Sequence, residues 1–370
     1  MNVAMLGPEW EPEGIAAYCA DLAAHIGRRV HLDYVPIPPG HVDDEECRRV
    51  ATRLNDGDIV HIQHHPEFFG GVLPEALWFD RLRNAIERPV VVTAHTAAPA
   101  DEVARELPVP AAIRLQSIQA LLDARFRRTV DTEPFIQNAC VVLSSGDRDL
   151  LVGRGVPEGI LHVIPAGAPS PAPRPDGAEL RRSLHLEGKR VLFQEIHSNE
   201  YRVTLRILQE LEPDICLLLS GWPPHRVRQA KTVSGTAGGR AVYYVPEVPG
   251  SFTAMALADV LVASGETAGG PRDVLKALSM GIPVAAPDTD RYREIQRHEA
   301  CLRLVRPGDA DHLAACVKAL FHNAIGRAEM AERGQRYAAQ HGWDWVADQT
   351  IALYRNVLAD RDPSSTAKVP

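Results

Sequence analysis

Residues 260–283 read VLVASGETAGGPRDVLKALSMGIP. An apolar run leads into a glycine-rich loop carrying one acid, Glu266, and then into a helical pattern that stops at Gly281. A strand that delivers a glycine loop to a helix N-terminus makes an anion site, because the unpaired N–H groups of the first turn and the positive end of the helix dipole face one point. Diphosphate is the guest such a site suits best.

The same alternation of short β-prone runs and amphipathic stretches extends in both directions. Upstream, Val3–Leu6, Val30–Val35, Ile59–Ile62, Val90–Thr93, Cys140–Leu143 and His162–Ile164 read as strands, with helical patterns such as Ala16–Ile26 and Ala111–Arg125 between them. Arg190–Phe193, Ile215–Ser220, Ala241–Val245, Val260–Ala263 and Pro283–Ala286 repeat the pattern downstream. Strands alternating with helices predict parallel sheets covered on both faces. Between the two sets, residues 165–175 read PAGAPSPAPRP, a stretch that suits a stiff extended linker far better than a helix or a central strand. The expected organisation is α/β, two Rossmann-like parallel-sheet domains facing each other across a cleft. The first spans 1–168, a proline-rich linker 169–180, the second domain 181–340, a final helix 341–360 that crosses back to the first domain, and a disordered tail 361–370. In that final helix Trp345, Val346, Thr350, Ile351, Tyr354 and Val357 recur at helical spacing. Ligands are expected in the cleft, at the carboxyl ends of both sets of strands.

Composition excludes several other classes. The formal net charge is −8 with Lys and Arg spread along the chain, so nothing marks a polyanion-binding stripe and no nucleic acid partner is expected. Arg125, Arg127 and Arg128 form the densest basic cluster, a solvated face or at most a peripheral membrane contact. With no 18-residue apolar run and no charged, apolar, small-residue leader, the chain reads as a soluble cytoplasmic protein. Its six cysteines lie far apart without a CxxC pair, which suggests reduced core thiols rather than a zinc site or a disulfide framework.

Ala258, Asp259, Val260, Ser264, Glu266, Gly269, Gly281, Pro283 and Val284 together resemble the donor-site signature of GT-B glycosyltransferases of the family-4, group 1 type. The resemblance runs from Asn2 to about Leu358. Near the N-terminus GPEWEPEGIAAYCADLAAHI resembles the family's glycine loop and tyrosine-containing helix, with Glu13-Gly14 where two glycines are usual. Gly14 keeps the backbone open to a phosphate because it has no side chain. DIVHIQHHPEFFGG, residues 58–71, resembles another stretch common in the family, and VVVTAHTAA resembles the strand that ends in its active-site histidine. That places His95 at a strand end, where imidazole can donate to or accept from a sugar hydroxyl at neutral pH. His64 or His65 would line the acceptor side. On a strand His61 and His65 share one face and His64 takes the other, so the three are not expected to converge on a metal, and no metal site is expected. The strings Asp147-Arg148-Asp149, Asp288-Thr289-Asp290 and Asp309-Ala310-Asp311 carry little weight in an acid-rich chain.

The donor site departs from the family pattern. Where many members hold the diphosphate with an Arg and a Lys five residues apart, FQEIHSNEYRVT has only His197 and Arg202 at that spacing. Of two glutamates eight residues apart, Glu266 matches the first, which touches the sugar; the loop is two residues longer here, and the second falls on Lys276. An ammonium group donates and cannot accept, so Lys276 cannot replace a ribose-binding carboxylate, though it can pair with phosphate. Asp273, three residues earlier on the same helical face, is then the ribose acceptor, with Gly269 and Gly270 cradling the diphosphate. The alternative is an exposed Asp273–Lys276 pair with no ligand role.

The resemblance thus implies a retaining, hexosyltransferase-like enzyme that moves a sugar from a nucleoside diphosphate sugar, UDP or GDP, to a hydroxyl on a small molecule, natural product or growing glycan. No separate cofactor is expected. His95 and Glu266 would be catalytic, and the leaving diphosphate would take the acceptor's proton. Two other readings remain open on these residues: a catalytically weakened GT-B binding or partner subunit, or a GT-B nucleotide-sugar epimerase.

Overall fold

The computed structural model describes residues 1–9, 14–38, 42–69, 78–97, 132–171, 176–196, 201–221, 234–237, 239–246, 253–263 and 271–360. The chain divides into two compact units. Unit 1 comprises Met1–Ala166, Ala268–Gly270 and Asp344–Pro370, and unit 2 comprises Gly167–Thr267 and Pro271–Trp343.

In unit 1 the strands β1 (Asn2–Gly7), β2 (His31–Pro36), β3 (Ile59–His64), β4 (Val90–Ala94), β5 (Ala139–Val142) and β6 (Leu161–Val163) form one sheet in the order β2-β1-β3-β4-β5-β6, all parallel. Its central strands are apolar on both faces, with Val3, Met5, Ile59, Val60, Ile62 and Val90–Val92 all buried, as a sheet covered by helices on both sides requires. Helix α1 (Gly14–Ile26) buries Ile15, Tyr18, Cys19, Leu22 and Ile26, the stripe that a 3.6-residue period puts on one side. Helix α2 (Asp44–Leu54) starts where Asp43 accepts from the Glu46 N–H at 2.9 Å, with three acids in its first turn complementing the dipole. Helices α3 (Phe79–Ala85) and α4 (Ser145–Gly153) complete the described helices of the chain before residue 166.

Unit 2 carries helix α5 (Ala178–Ser183), strands β7 (Arg190–Glu195), β8 (Ile215–Gly221), β9 (Ser234–Ala237), β10 (Arg240–Pro246), β11 (Val260–Val262), β12 (Val284–Pro287) and β13 (Leu302–Val305). Their order is β13-β12-β11-β7-β8-β10-β9, parallel throughout except for β9, which runs antiparallel at the edge. Helices α6 (Tyr201–Leu208), α7 (Arg272–Ser279), α8 (Asp290–His298), α9 (Ala310–His322) and α10 (Ala324–Gln340) follow or connect these strands. Leu192, Ile207, Leu217, Val260, Ala285, Val317 and Leu320 pack into the core that joins this sheet to α6 and α9. At one end of the sheet Arg190 is held by Asp214 at 2.6 Å and lies 5.3 Å from the centre of the Phe321 ring, so its charge is paired while its plane covers an apolar face.

Two α/β sheets are therefore present, each with the Rossmann-like crossover pattern expected from the sequence. β9 and β13 are strands the sequence did not suggest. LRLV, the sequence of β13, buries only its two ends, and β9 is a four-residue antiparallel edge, too short for alternation to show. The helix stop at Gly281 is sharp for a local reason. Gly281 has φ +65°, Ile282 N–H reaches the Ala277 carbonyl at 2.9 Å, and Gly281 N–H reaches Leu278 at 3.0 Å, a Schellman cap that favours glycine. Helix α11 (Trp343–Ala359) buries Val346, Thr350, Ile351, Tyr354 and Val357. Its Asp344 and Asp348 bind Arg29 at 2.9 Å and 2.8 Å. All six cysteines are buried free thiols. The stretches 111–125 and 361–370 lie outside the described residues.

Gly167 is a packing glycine: a Cβ there would lie 2.6 Å from Cδ2 of Trp343 and 2.9 Å from its Cα. Neither the buried indole nor the backbone has room to give. Gly167→Ala is expected to cost about 1–3 kcal/mol through overpacking, read as a lower denaturant midpoint. An unchanged midpoint would show that Trp343 moves aside freely.

Candidate functional site

A doubly wound sheet binds ligands where its strand order reverses, outside the carboxyl ends of the strands. In unit 2 that reversal lies between β7 and β11, the inner pair from which the sheet grows both ways. Residues leaving β7 and β11 at this end are those the sequence reading chose for the donor. His197, Glu266, Gly269 and Gly270 all fall in 197–200 and 264–270, outside the described residues. Arg202 is exposed, one residue into α6. Asp273 and Lys276 both lie on α7, whose N-terminus follows the β11 loop.

Asp273 is 6% exposed, and its Oδ1 accepts from the Val274 N–H at 2.8 Å while its buried Oδ2 has no hydrogen-bond partner among the described residues. Lys276 is half-buried, and no ion pair between it and Asp273 is present among the described residues. The exposed helix pair is therefore not what forms. A buried acceptor oxygen at a helix N-terminus is what a ligand hydroxyl needs, and leaving such a group without one is costly. The sequence reading missed a second acid here: Glu195, 5% exposed, ends β7 beside Ser220 of β8. Its signal was only an acid at the end of an apolar run.

In unit 1 the reversal lies between β1 and β3. Gly14 opens α1 with φ +63°, and nothing lies within 4 Å of where a Cβ would sit. Its requirement for glycine is conformational rather than steric. His95 follows β4 and extends the ladder, its N–H reaching the His64 carbonyl at 3.1 Å. The imidazole is 0% exposed, with Nε2 2.9 Å from Gln63 Oε1 and the Tyr18 ring edge-on at 4.8 Å. Gln63 in turn meets His61, whose Nε2 lies 2.7 Å from the Thr93 hydroxyl and whose Nδ1 lies 2.5 Å from the Tyr354 hydroxyl of α11. Burial lowers the His61 pKa to about 3, so the ring is neutral at ordinary pH.

The structure corrects the expectation for His64. Its ring stacks on Phe69 and meets Phe79 and Phe135 edge-on, each at 5.2 Å, and burial followed by repulsion from His65 lowers its pKa to about 3. It packs an aromatic cluster instead of lining an accessible acceptor surface. The pleat sends His64 to the face opposite His61 and Gln63, and that face is filled by phenylalanines. His65, just past the strand, is partly exposed, with Nδ1 3.7 Å from Glu67. The paired acids also find ordinary employment: Ser144 caps α4 through Asp147, Asp288 and Asp290 bind Arg293, and Asp309 caps α9 through the His312 N–H.

Residues 195–323 match the family model described as Glycosyl transferases group 1. A phosphatidyl-myo-inositol mannosyltransferase from Mycobacterium leprae is 32% identical over 111 residues, 29% of each chain. An MMP alpha-(1->4)-mannosyltransferase from Mycolicibacterium hassiacum is 30% identical over 87 residues, 23% of this chain and 21% of that one. The matched stretches thus span under a third of these relatives. Among solved structures, Anabaena HepE in complex with UDP and glucose superposes with a TM-score of 0.71 at 14% identity, covering 96% of this chain and all of that one. Sucrose-phosphate synthase from Thermosynechococcus elongatus does so with a TM-score of 0.67 at 16% identity over 97% of this chain and all of that one. The chain shares the fold of these solved structures, and residues 195–323 in its second unit are similar to the group 1 glycosyl transferase model, the similarity its motifs implied. Among the described residues no helix is long and apolar enough to cross a membrane.

Proposed function

We propose that this protein is a retaining glycosyltransferase that transfers a hexose-type sugar from a nucleoside diphosphate sugar to a hydroxyl acceptor. The observation that carries the proposal is the position of the group 1 match: it begins at Glu195 on the end of β7 and includes β11, its loop and α7, both sides of the strand reversal in unit 2. Donor chemistry follows from that placement. The loop amides of Gly269 and Gly270, the positive end of α7, Arg202 and Lys276 would stabilise the diphosphate as it leaves, and this charge stabilisation carries most of the barrier lowering. Asp273 Oδ2 would accept from the ribose, and Glu266 from a sugar hydroxyl. His95 would orient the sugar at the reacting carbon, while the departing diphosphate takes the proton of the incoming hydroxyl. Relatives named as mannosyltransferases and a neighbour bound to UDP and glucose support a nucleotide-sugar donor.

A thermal-shift series with UDP, GDP and ADP tests the donor. The preferred diphosphate at 100 times its Kd should stabilise the protein by about 2.7 kcal/mol, because it binds only the native state. Absence of any shift across the series would overturn the proposal. Slow hydrolysis of the matching nucleotide sugar, with the configuration of the released sugar read by NMR, then tests retention.

One observation favours a second reading. Glu195 is a buried acid at the end of β7, close in sequence to where the family holds diphosphate with cations. A chain with weakened turnover would still be stabilised by nucleotide and yet release none from the sugar donor.

A further inference from the structure

Tyr354, His61, Gln63 and His95 form a continuous buried chain in unit 1. The links are 2.5 Å from Tyr354 Oη to His61 Nδ1, 3.3 Å from His61 Nε2 to Gln63 Nε2, and 2.9 Å from Gln63 Oε1 to His95 Nε2. All four side chains are shielded from water, so the atoms that link them can be matched only within the chain or by immediate neighbours. A neutral imidazole has one N–H and one lone pair, and an amide has a donor end and an acceptor end. Such groups joined in series are best satisfied in two ways, each the reverse of the other, with the Thr93 hydroxyl 2.7 Å from His61 Nε2 able to donate in one and accept in the other.

We propose that Tyr354, His61 and Gln63 are positioning residues that set the direction of this chain and thereby fix which ring nitrogen of His95 carries the proton. In the direction the structure adopts, His95 Nε2–H donates to Gln63 Oε1. The Thr93 hydroxyl at 2.7 Å and the Gln63 NH₂ at 3.3 Å both donate toward the single lone pair of His61 Nε2, and His61 Nδ1–H donates to the Tyr354 oxygen. His95 is then the Nε2–H tautomer, and Nδ1 is its accepting nitrogen. In the reverse direction Tyr354 O–H donates into His61, the amide of Gln63 turns over, and His95 must carry its proton on Nδ1. A chain that changes direction partway sets two donors or two lone pairs against each other, which is costly in a buried site. The choice at one end is therefore transmitted to the other. Burial holds the Tyr354 hydroxyl protonated, its pKa raised well above the ordinary phenol value, so the terminus does not ionise. The functional consequence, a His95 that accepts a hydrogen bond from a sugar hydroxyl instead of donating one, rests on the proposed role of His95. The tautomer itself does not.

Long-range proton–nitrogen NMR of the full chain labelled with ¹⁵N-histidine reads the tautomers directly, with His95 assigned by its loss in His95→Gln. At neutral pH the wild type should show His95 as Nε2–H and His61 as Nδ1–H. Tyr354→Phe keeps the ring volume but removes the acceptor from His61. The His61 proton should move to Nε2, where Thr93 accepts it, and His95 should convert to Nδ1–H. Gln63→Glu keeps an acceptor for His95 but cannot donate to His61, so only His61 should switch. An Nδ1–H His95 in the wild type would overturn the proposal, as would a His95 unaffected by Tyr354→Phe. If the tautomers behave as expected while His95→Gln leaves donor hydrolysis unchanged, the relay stands and the functional reading of His95 falls.

Discussion

His95→Ala is expected to lower turnover by roughly 10²-fold or more, the scale for a group acting mainly in the transition state. The sequence alone suggests that this change leaves folding nearly untouched, and the structure revises that expectation. His95 is fully buried, donates to Gln63 and carries the edge of Tyr18, so removing it strands the Gln63 carbonyl and opens a gap under the tyrosine. A stability cost of about 1–3 kcal/mol follows from the unpaired acceptor. Rates should therefore be measured well below the melting midpoint, with donor hydrolysis as the assay. A lower midpoint with an unchanged rate would return His95 to a structural role.

Lys276→Glu is expected to weaken nucleoside diphosphate binding by several kcal/mol. The substitution restores the acid that the family pattern places here, and the naive expectation is tighter binding. On the proposed site the buried Asp273 Oδ2, three residues earlier, would already serve the ribose, so a second acid on α7 would have no ribose hydroxyl to serve and would face the diphosphate instead. Two like charges close together at a partly buried site repel strongly. Asp273→Asn should weaken binding more modestly, by about 1.5–3 kcal/mol, the worth of a hydrogen bond to a charged acceptor. Calorimetric titration of both variants decides between the assignments. Tighter binding by Lys276→Glu would place the ribose at residue 276 and leave Asp273 without a ligand role.

The fold was legible because parallel sheets write themselves as apolar runs. All eleven strands read from the sequence form, and the two that were missed are a four-residue antiparallel edge and a short outer strand with an exposed arginine, Arg303. The site was legible only in part. His95 could be placed at a strand end from four β-prone residues before it, and α7 could be capped at Gly281 from the glycine alone. What the sequence could not show is contact between distant residues. Nothing in DIVHIQHH says that His61 bonds a tyrosine 293 residues away, and Tyr354 looks like one more apolar position in a helical stripe. Nor could it separate His64 from His65. Pleating decides which face each takes, but the phenylalanines that fill the His64 side come from three different segments.

The composition of unit 1 has a consequence for the order in which the protein is made. Asp344, Asp348 and Tyr354, the partners of Arg29 and His61, are translated only after the whole of unit 2. At ordinary elongation rates the roughly 180 intervening residues take about 10–35 s, long compared with the folding of most domains. The first sheet must wait through that interval with the seat of its last helix uncovered and its histidine relay lacking a terminus. Unit 2 meets no such delay. Nascent chains stalled between the two events would therefore hold a complete unit 2 and a first unit still lacking its last helix.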